Sequence, residues 1–134
     1  MTLATKIEQA NAFHAKGHNC AQSVALAFYD EVGIDPQTAM RAMEGFGAGM
    51  GGRDQTCGAL SGAIFMAGLK NSDGNVDAPK SKQTTYAVSR AMCEAFCDAC
   101  GGTARCASIK EQARVSCAAC IELGVKLAYD AIYS

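Results

Sequence analysis

Apolar residues recur at three- and four-residue intervals along almost all of this 134-residue chain, and no alternating run bounded by hairpin turns interrupts them. That periodicity predicts an all-α fold, a compact bundle of about five to seven helices. Leu3, Ile7, Ala10 and His14 lie on one stripe of a first helix, which Gly17 closes. Asn19 is a predicted N-cap for a second helix over 20–32 that carries Val24, Ala27 and Phe28 and stops at Gly33.

Asp35-Pro36 starts a third helix, because Asp caps free amides and Pro arrives with its φ already helical. Met40, Met43 and Phe46 are expected on its buried side. It runs into Gly45-Phe-Gly-Ala-Gly-Met-Gly-Gly52, where glycines permit tight turns and close backbone approach. Thr56 is the expected cap of a fourth helix over 57–69. After an exposed loop at about 71–79, a fifth helix is predicted over 80–100, stopped by Gly101-Gly102. The last segment, 113–133, reads as one or two helices. Residues 1–134 therefore read as a single cysteine-rich helical domain.

The composition, 49% hydrophobic and 19% charged, is that of a chain that packs a core. Twelve Lys and Arg against thirteen Asp and Glu, with no basic block, argue against nucleic acid as a partner. No stretch approaches the roughly 20 apolar residues that span a bilayer, so no membrane insertion is expected. Lys6, Glu8 and Lys16 interrupt the N-terminal segment, which lacks the apolar centre of a secretory signal. The expected location is cytoplasmic.

Eight cysteines, at 20, 57, 93, 97, 100, 106, 117 and 120, are the excess to be explained. Any one of them reads equally well as a small core residue, but eight together do not. In a reducing compartment such a count points to metal binding or catalytic redox chemistry. Cys57 follows the glycine-rich loop at an expected helix N-terminus, where unpaired amides and the helix dipole favour thiolate. Gly58, Ala59, Gly62 and Ala63 form a small-residue face beyond it, able to admit a neighbouring helix closely.

Cys93, Cys97 and Cys100 share one face of the fifth helix. Cys97-Asp-Ala-Cys100 and Cys117-Ala-Ala-Cys120 are two CxxC pairs separated by residues 101–116, the spacing of a four-cysteine zinc site. Local helix argues against it, since zinc ribbons hold such pairs on tight turns. Gly101 and Ile121 stand where covalent haem attachment needs His. His14 and His18 read as surface residues, with His18 a weak candidate beside Cys20. Ser61 has no activating partner in sequence, and the glycine-rich loop lacks the Gly-Lys-Ser/Thr ending of a phosphate-binding loop.

Three segments in order, Asn19-Cys-Ala-Gln-Ser-Val24, Gly45-Phe-Gly-Ala-Gly-Met-Gly51 and Cys57-Gly-Ala-Leu-Ser-Gly62, make the chain resemble a family described as redox-active. It is named for its cysteine pattern, C_GCAxxG_C_C, and the resemblance covers nearly the whole chain. The resemblance implies a functional set of Cys20, Cys57, Cys106 and, in Cys120-Ile-Glu-Leu-Gly-Val125, Cys120, with Cys117 competing for the last place. The family is also similar to a domain of some multihaem cytochromes, which implies an iron–sulfur site. Cys93, Cys97, Cys100 and Cys117 are additional to the set.

Three functions stand open on these residues. One is thiol–disulfide exchange or electron transfer, with Cys57 as the low-pKa thiol, Cys20, Cys106 or Cys120 as resolving partners, and a redox protein as the partner. The second is an iron–sulfur cluster or zinc held by Cys20, Cys57, Cys106 and Cys120, or by Cys97, Cys100, Cys117 and Cys120. The third is a non-catalytic helical interaction module with a transport-associated partner. Oligomeric state is not legible.

Overall fold

The computed structural model describes residues 1–134 and is all-helical: α1 (Leu3–Ala15), α2 (Cys20–Phe28), α3 (Pro36–Met43), α4 (Gly58–Asn71), α5 (Lys82–Ala99), α6 (Cys106–Glu111) and α7 (Cys117–Tyr133). No helix is long and apolar enough to cross a membrane. α2 is the centre of the bundle: every residue from Ala21 to Phe28 is buried. α1, α3, α4 and α7 surround it, and α5 lies outside, against α4.

Local sequence signals account for most of the helix starts. Thr2, Asn19, Asp35 and Ser116 each accept a backbone N–H of the first turn. Asn19 goes further: its Oδ1 accepts from the Gln22 N–H at 2.8 Å, while the Asn19 N–H donates to Gln22 Oε1 at 3.0 Å. The free ends of both side chains then reach α3 and the turn after it. Asn19 Nδ2 donates to the Glu44 carbonyl at 3.0 Å and Gln22 Nε2 to the Met40 carbonyl at 3.1 Å. One pair of side chains thus caps α2 and fixes its start against the next helix.

Three boundaries and one buried face differ from the periodicity. The second helix ends at Phe28 rather than at 32, and a 3-10 turn occupies Tyr29–Glu31. The Ala27 carbonyl there accepts from Lys6 Nζ at 2.7 Å. Lys6 is fully buried on α1, and its ammonium also meets Glu31 at 3.3 Å and the face of Phe28 at 5.1 Å from the ring centre. Thr56 is not the cap of α4. Cys57 occupies that position, and Thr56 is drawn into an antiparallel bridge with Arg105. On α3, Met43 and Ala39 are buried while Met40 and the following Phe46 are each 37% exposed. Phe46 and Met43 instead line an apolar cavity of about 410 Å³ with Met50, Leu60, Phe65 and Cys93. Residues 106–111, between the fifth and the last predicted segments, form the short helix α6.

Glycine sets how closely the central helices meet. A Cβ on Gly62 would lie 2.6 Å from the Ala21 carbonyl oxygen, and one on Gly124 would lie 2.6 Å from that of Ala59. α4 therefore rests on the start of α2, and α7 on α4, at near backbone contact. The connection before α4 is strained: Ala48, Gly49, Met50 and Gly51 all have positive φ, and only two of the four are glycine. Gly49 is required twice over, by its φ of 58° and because a Cβ there would come within 2.6 Å of Cys106 Cβ.

Candidate functional site

The close approaches converge on sulfur. Cys20 is the first residue of α2 and adjoins Ala21, the contact of Gly62. Cys57 immediately precedes Gly58, whose absent Cβ leaves room for the Ala21 backbone. Cys120 lies one turn before Gly124, the contact of Ala59. Pulling α2, α4 and α7 together at these glycines also pulls Cys20, Cys57 and Cys120 together.

Two further segments close the cluster. The chain from Ala104 to Cys106 runs antiparallel to that before α4, with the Cys57 N–H donating to the Ala104 carbonyl at 2.7 Å and the Cys106 N–H to the Gln55 carbonyl at 2.9 Å. Arg105 pins this crossing by pairing with Asp54 at 2.7 Å and donating to Ser108 Oγ at 2.9 Å. α6 is thereby aimed so that Lys110 Nζ donates to Cys120 Sγ at 3.3 Å. α5 ends at Cys100, where Gly101 and Gly102 take positive φ and the Gly102 N–H returns to the Cys97 carbonyl at 2.7 Å. That turn buries Cys100 beside Cys120.

Cys120 is the anionic centre of the group. The neighbouring Cys57 favours its charge most; burial opposes it, but the Lys110 ammonium and then Cys100 add to the effect and pull its pKa down to about 6. The other thiols move the opposite way. Cys57 is pushed up because its proton is committed to Cys120, and burial and the Cys120 charge add to the effect. Burial, then the nearby Cys117, pushes Cys20 up to about 12. Burial, then Cys120, pushes Cys100 up to about 11. For Lys110, burial works against the charge, but the attraction of Cys120 outweighs it and its pKa rises. The direction for Cys57 runs against the expectation of a low-pKa thiol there. Its helix N-terminus faces an already stabilised thiolate, next to which a buried thiol keeps its proton.

Of the cysteines singled out in sequence, Cys20, Cys57, Cys100, Cys117 and Cys120 lie within electrostatic reach of one another. Cys106 is buried beside them in the chain crossing, with its Cβ against Gly49. Cys97 stays half-buried on α5. Cys93 forms part of the apolar cavity wall. Cys117 is exposed at the first position of α7. All eight cysteines are free thiols. Lys110 had no motif to announce it: it lies ten residues from Cys120 in a segment without periodic signal.

A family model described as "Putative redox-active protein (C_GCAxxG_C_C)" matches residues 18–131. The chain belongs to the C_GCAxxG_C_C family. No curated protein and no solved structure matches it. The physical work of the family's three segments is visible here. Asn19 and Gln22 clamp α2 onto α3, Gly49 admits Cys106, and Gly58 and Gly62 admit α2 beside Cys57.

Sulfur donors suit soft ions, so the cluster has to be tested against the expected iron–sulfur or zinc site. No three His, Cys, Asp or Glu side chains are disposed together as ligands. The position beside the central sulfur is moreover taken by an ammonium, 3.3 Å from Cys120 Sγ, where a metal cation would meet like charge. The residues in this arrangement, as they stand, pair the central sulfur with an ammonium rather than with further ligands. They fit a thiolate held among proton-donating thiols.

Proposed function

We propose that this member of a redox-active family is a two-electron thiol–disulfide protein in which Cys120 is the thiolate and Cys57 its disulfide partner. The observation that carries this reading is the contact of Lys110 Nζ with Cys120 Sγ at 3.3 Å, beside which the buried Cys57 also favours the Cys120 charge. Thiol–disulfide exchange needs an anionic sulfur and a second thiol within reach, and the ammonium on Cys120 with Cys57 buried at the start of the neighbouring helix supports that reading. Oxidation joins Cys57 Sγ to Cys120 Sγ, and two electrons and the Cys57 proton leave to the acceptor. Reduction by a thiol reverses it.

Helix geometry supports the choice of a partner from another element. Cβ atoms three or four residues apart in a helix stand about 5–6 Å from each other, whereas a disulfide needs about 3.5–4.5 Å. Cys93 and Cys97, both within α5, are therefore too far apart to be bridged while that helix stands. Cys57 approaches Cys120 from α4 and is free of that restriction.

The test is to oxidise the reduced protein mildly and map its disulfides by mass spectrometry, following thiolate absorbance near the far ultraviolet edge against pH in parallel. The expected product is Cys57–Cys120, and the expected thiolate midpoint lies near pH 6 and disappears in Cys120→Ser. A protein with no early thiolate, or whose first disulfide omits Cys120, would sink the proposal.

A further inference from the structure

The central sulfur lies one layer beneath solvent. Ser116, which caps α7, and Cys117, Ala118 and Ala119 of its first turn are all exposed, and Cys120 is the first buried residue of the helix. Cys120 itself is 0% exposed, and Cys57 2%. Lys110 is half-buried on α6 and reaches in to that sulfur, with Nζ 3.3 Å from Cys120 Sγ.

This burial sorts the oxidants that can react at Cys120. Attack on a disulfide depends on access, and the substituents on both disulfide sulfurs must be accommodated around the attacking one. A sulfur without exposed surface offers them no approach while the fold is closed. Hydrogen peroxide is little larger than water and needs to bring only an O–O group to the thiolate. The contact with Lys110 suits the same reaction. Breaking an O–O bond releases hydroxide, which leaves readily only where a proton or a cation meets it. An oxygen arriving at Cys120 Sγ comes within reach of an ammonium already 3.3 Å from that sulfur.

We infer that the oxidant of this site is a small hydroperoxide, hydrogen peroxide being the simplest, which Cys120 attacks while Lys110 protonates the departing hydroxide. The inference rests on the redox pair proposed above and names its electron acceptor. Cys120 Sγ attacks one peroxide oxygen: the S–O bond forms, the O–O bond breaks, and the second oxygen takes a proton from Lys110 and leaves as water. Cys120 is then a sulfenic acid. Cys57 Sγ attacks Cys120 Sγ, the S–S bond forms, and the hydroxyl on Cys120 departs with the Cys57 proton as a second water. Lys110 regains a proton from solvent. One peroxide is reduced by two electrons to two waters, and two sulfurs are oxidised to one disulfide. The order of steps removes an obstacle. Cys120 is the largest influence holding the proton on Cys57, ahead of burial, and that influence ends once Cys120 has lost its charge.

The full-length protein, reduced and freed of reductant, is mixed with hydrogen peroxide or, in a second arm, with oxidised glutathione at equal concentration. Loss of the Cys120 thiol and formation of each product are followed by mass spectrometry. The preference for peroxide over oxidised glutathione is expected to be at least about tenfold larger in the folded protein than in the urea-unfolded chain, where access is equal. In Cys57→Ser, and in Cys57→Ala, the peroxide reaction should stop at a sulfenic acid on Cys120, one oxygen heavier. Lys110→Met is compared with wild type with each protein on the plateau of its own thiolate titration, so that a loss of about tenfold or more reports the missing proton donor and not a smaller thiolate fraction. Lys110→Arg should recover part of that rate, and circular dichroism of each variant separates a lost acid from a lost fold. Where Cys57–Cys120 forms in wild type, the inference is overturned, and the redox pair left standing, by any of three results: a peroxide preference no larger in the fold than in urea, oxygen appearing first on another cysteine of the Cys57 variants, or an unchanged plateau rate in Lys110→Met. No Cys57–Cys120 with either oxidant, nor with diamide, overturns both.

Discussion

The Lys110 ammonium stands 3.3 Å from Cys120 Sγ, at the far end of a short helix from the chain crossing that aims it. Replacing that charge by an apolar side chain of similar length, Lys110→Met, should raise the thiolate midpoint from near pH 6 by about one unit or more, since an opposite charge at this range lowers a pKa by about 1–3 units. The Cys57 hydrogen bond still acts in the variant, so the midpoint stays below that of a free thiol. Cys57→Ala should raise it further, because that hydrogen bond is the largest single influence. Thiolate absorbance against pH measures both, and an unmoved midpoint in Lys110→Met would show that the cation does not act on Cys120.

The same thiolate makes stability depend on pH. Cys120 ionises in the folded protein near pH 6 and in the unfolded chain at the ordinary value of 9.0. Between those values the unfolded state binds the extra proton, so stability rises with pH, by at most about 1.4 kcal/mol per unit. Above pH 9 the sign reverses, because Cys20, Cys57 and Cys100 hold protons in the fold that the unfolded chain releases. Urea unfolding under reducing conditions should therefore show wild type gaining on Cys120→Ala from pH 6.5 to 8.5. Parallel curves for the two proteins would refute the assignment.

Two glycines on helices should respond oppositely to alanine. Gly124→Ala drives a methyl to within 2.6 Å of the Ala59 carbonyl oxygen, so α7 must move off α4, at a cost of about 1–3 kcal/mol. Cys120 moves with it, and the thiolate midpoint should rise. Gly68, inside α4, has nothing within 4 Å of the added carbon, and Gly68→Ala should stabilise by about 0.4–1 kcal/mol with the midpoint unchanged. Urea midpoints and thiolate titrations on the same samples separate the two effects.

Lys6 should be needed by the fold and not by the site. It is fully buried, and its ammonium satisfies the Ala27 carbonyl near the end of α2. Lys6→Met keeps the stem's packing but orphans that carbonyl, costing about 1–3 kcal/mol, and Lys6→Ala should cost more because it also leaves a cavity. Thermal unfolding checks the order, with Lys6→Met expected to retain a thiolate midpoint near pH 6.

Much of the fold was legible because its signals are local. Apolar spacing, Asn19, Asp35-Pro36 and Gly101-Gly102 mark helices through interactions within a turn of the chain, and the structure keeps each of them. The misplacements have non-local causes. α2 stops early where Lys6, more than twenty residues away, takes a carbonyl, and Thr56 gives up the cap because the 103–106 segment binds its backbone. Residues 106–111 showed no periodicity, since α6 is too short to display a face.

The cysteines divide along the same line. Their number, their types of neighbour and the glycines at 58, 62 and 124 are in the sequence, and with them the fact that helices must meet closely near sulfur. CxxC spacing grouped Cys97 and Cys100 with Cys117 and Cys120, but spacing alone says nothing of which of these sulfurs lies against Lys110. Which sulfurs meet, and which of them is charged, depends on elements distant in the chain. Cys57 looked like the thiolate from its own helix N-terminus. The packed structure puts the negative charge on Cys120 instead, because a lysine from α6 and protons from two other helices converge on that sulfur, and a pKa answers to every charge within reach whatever its place in the sequence.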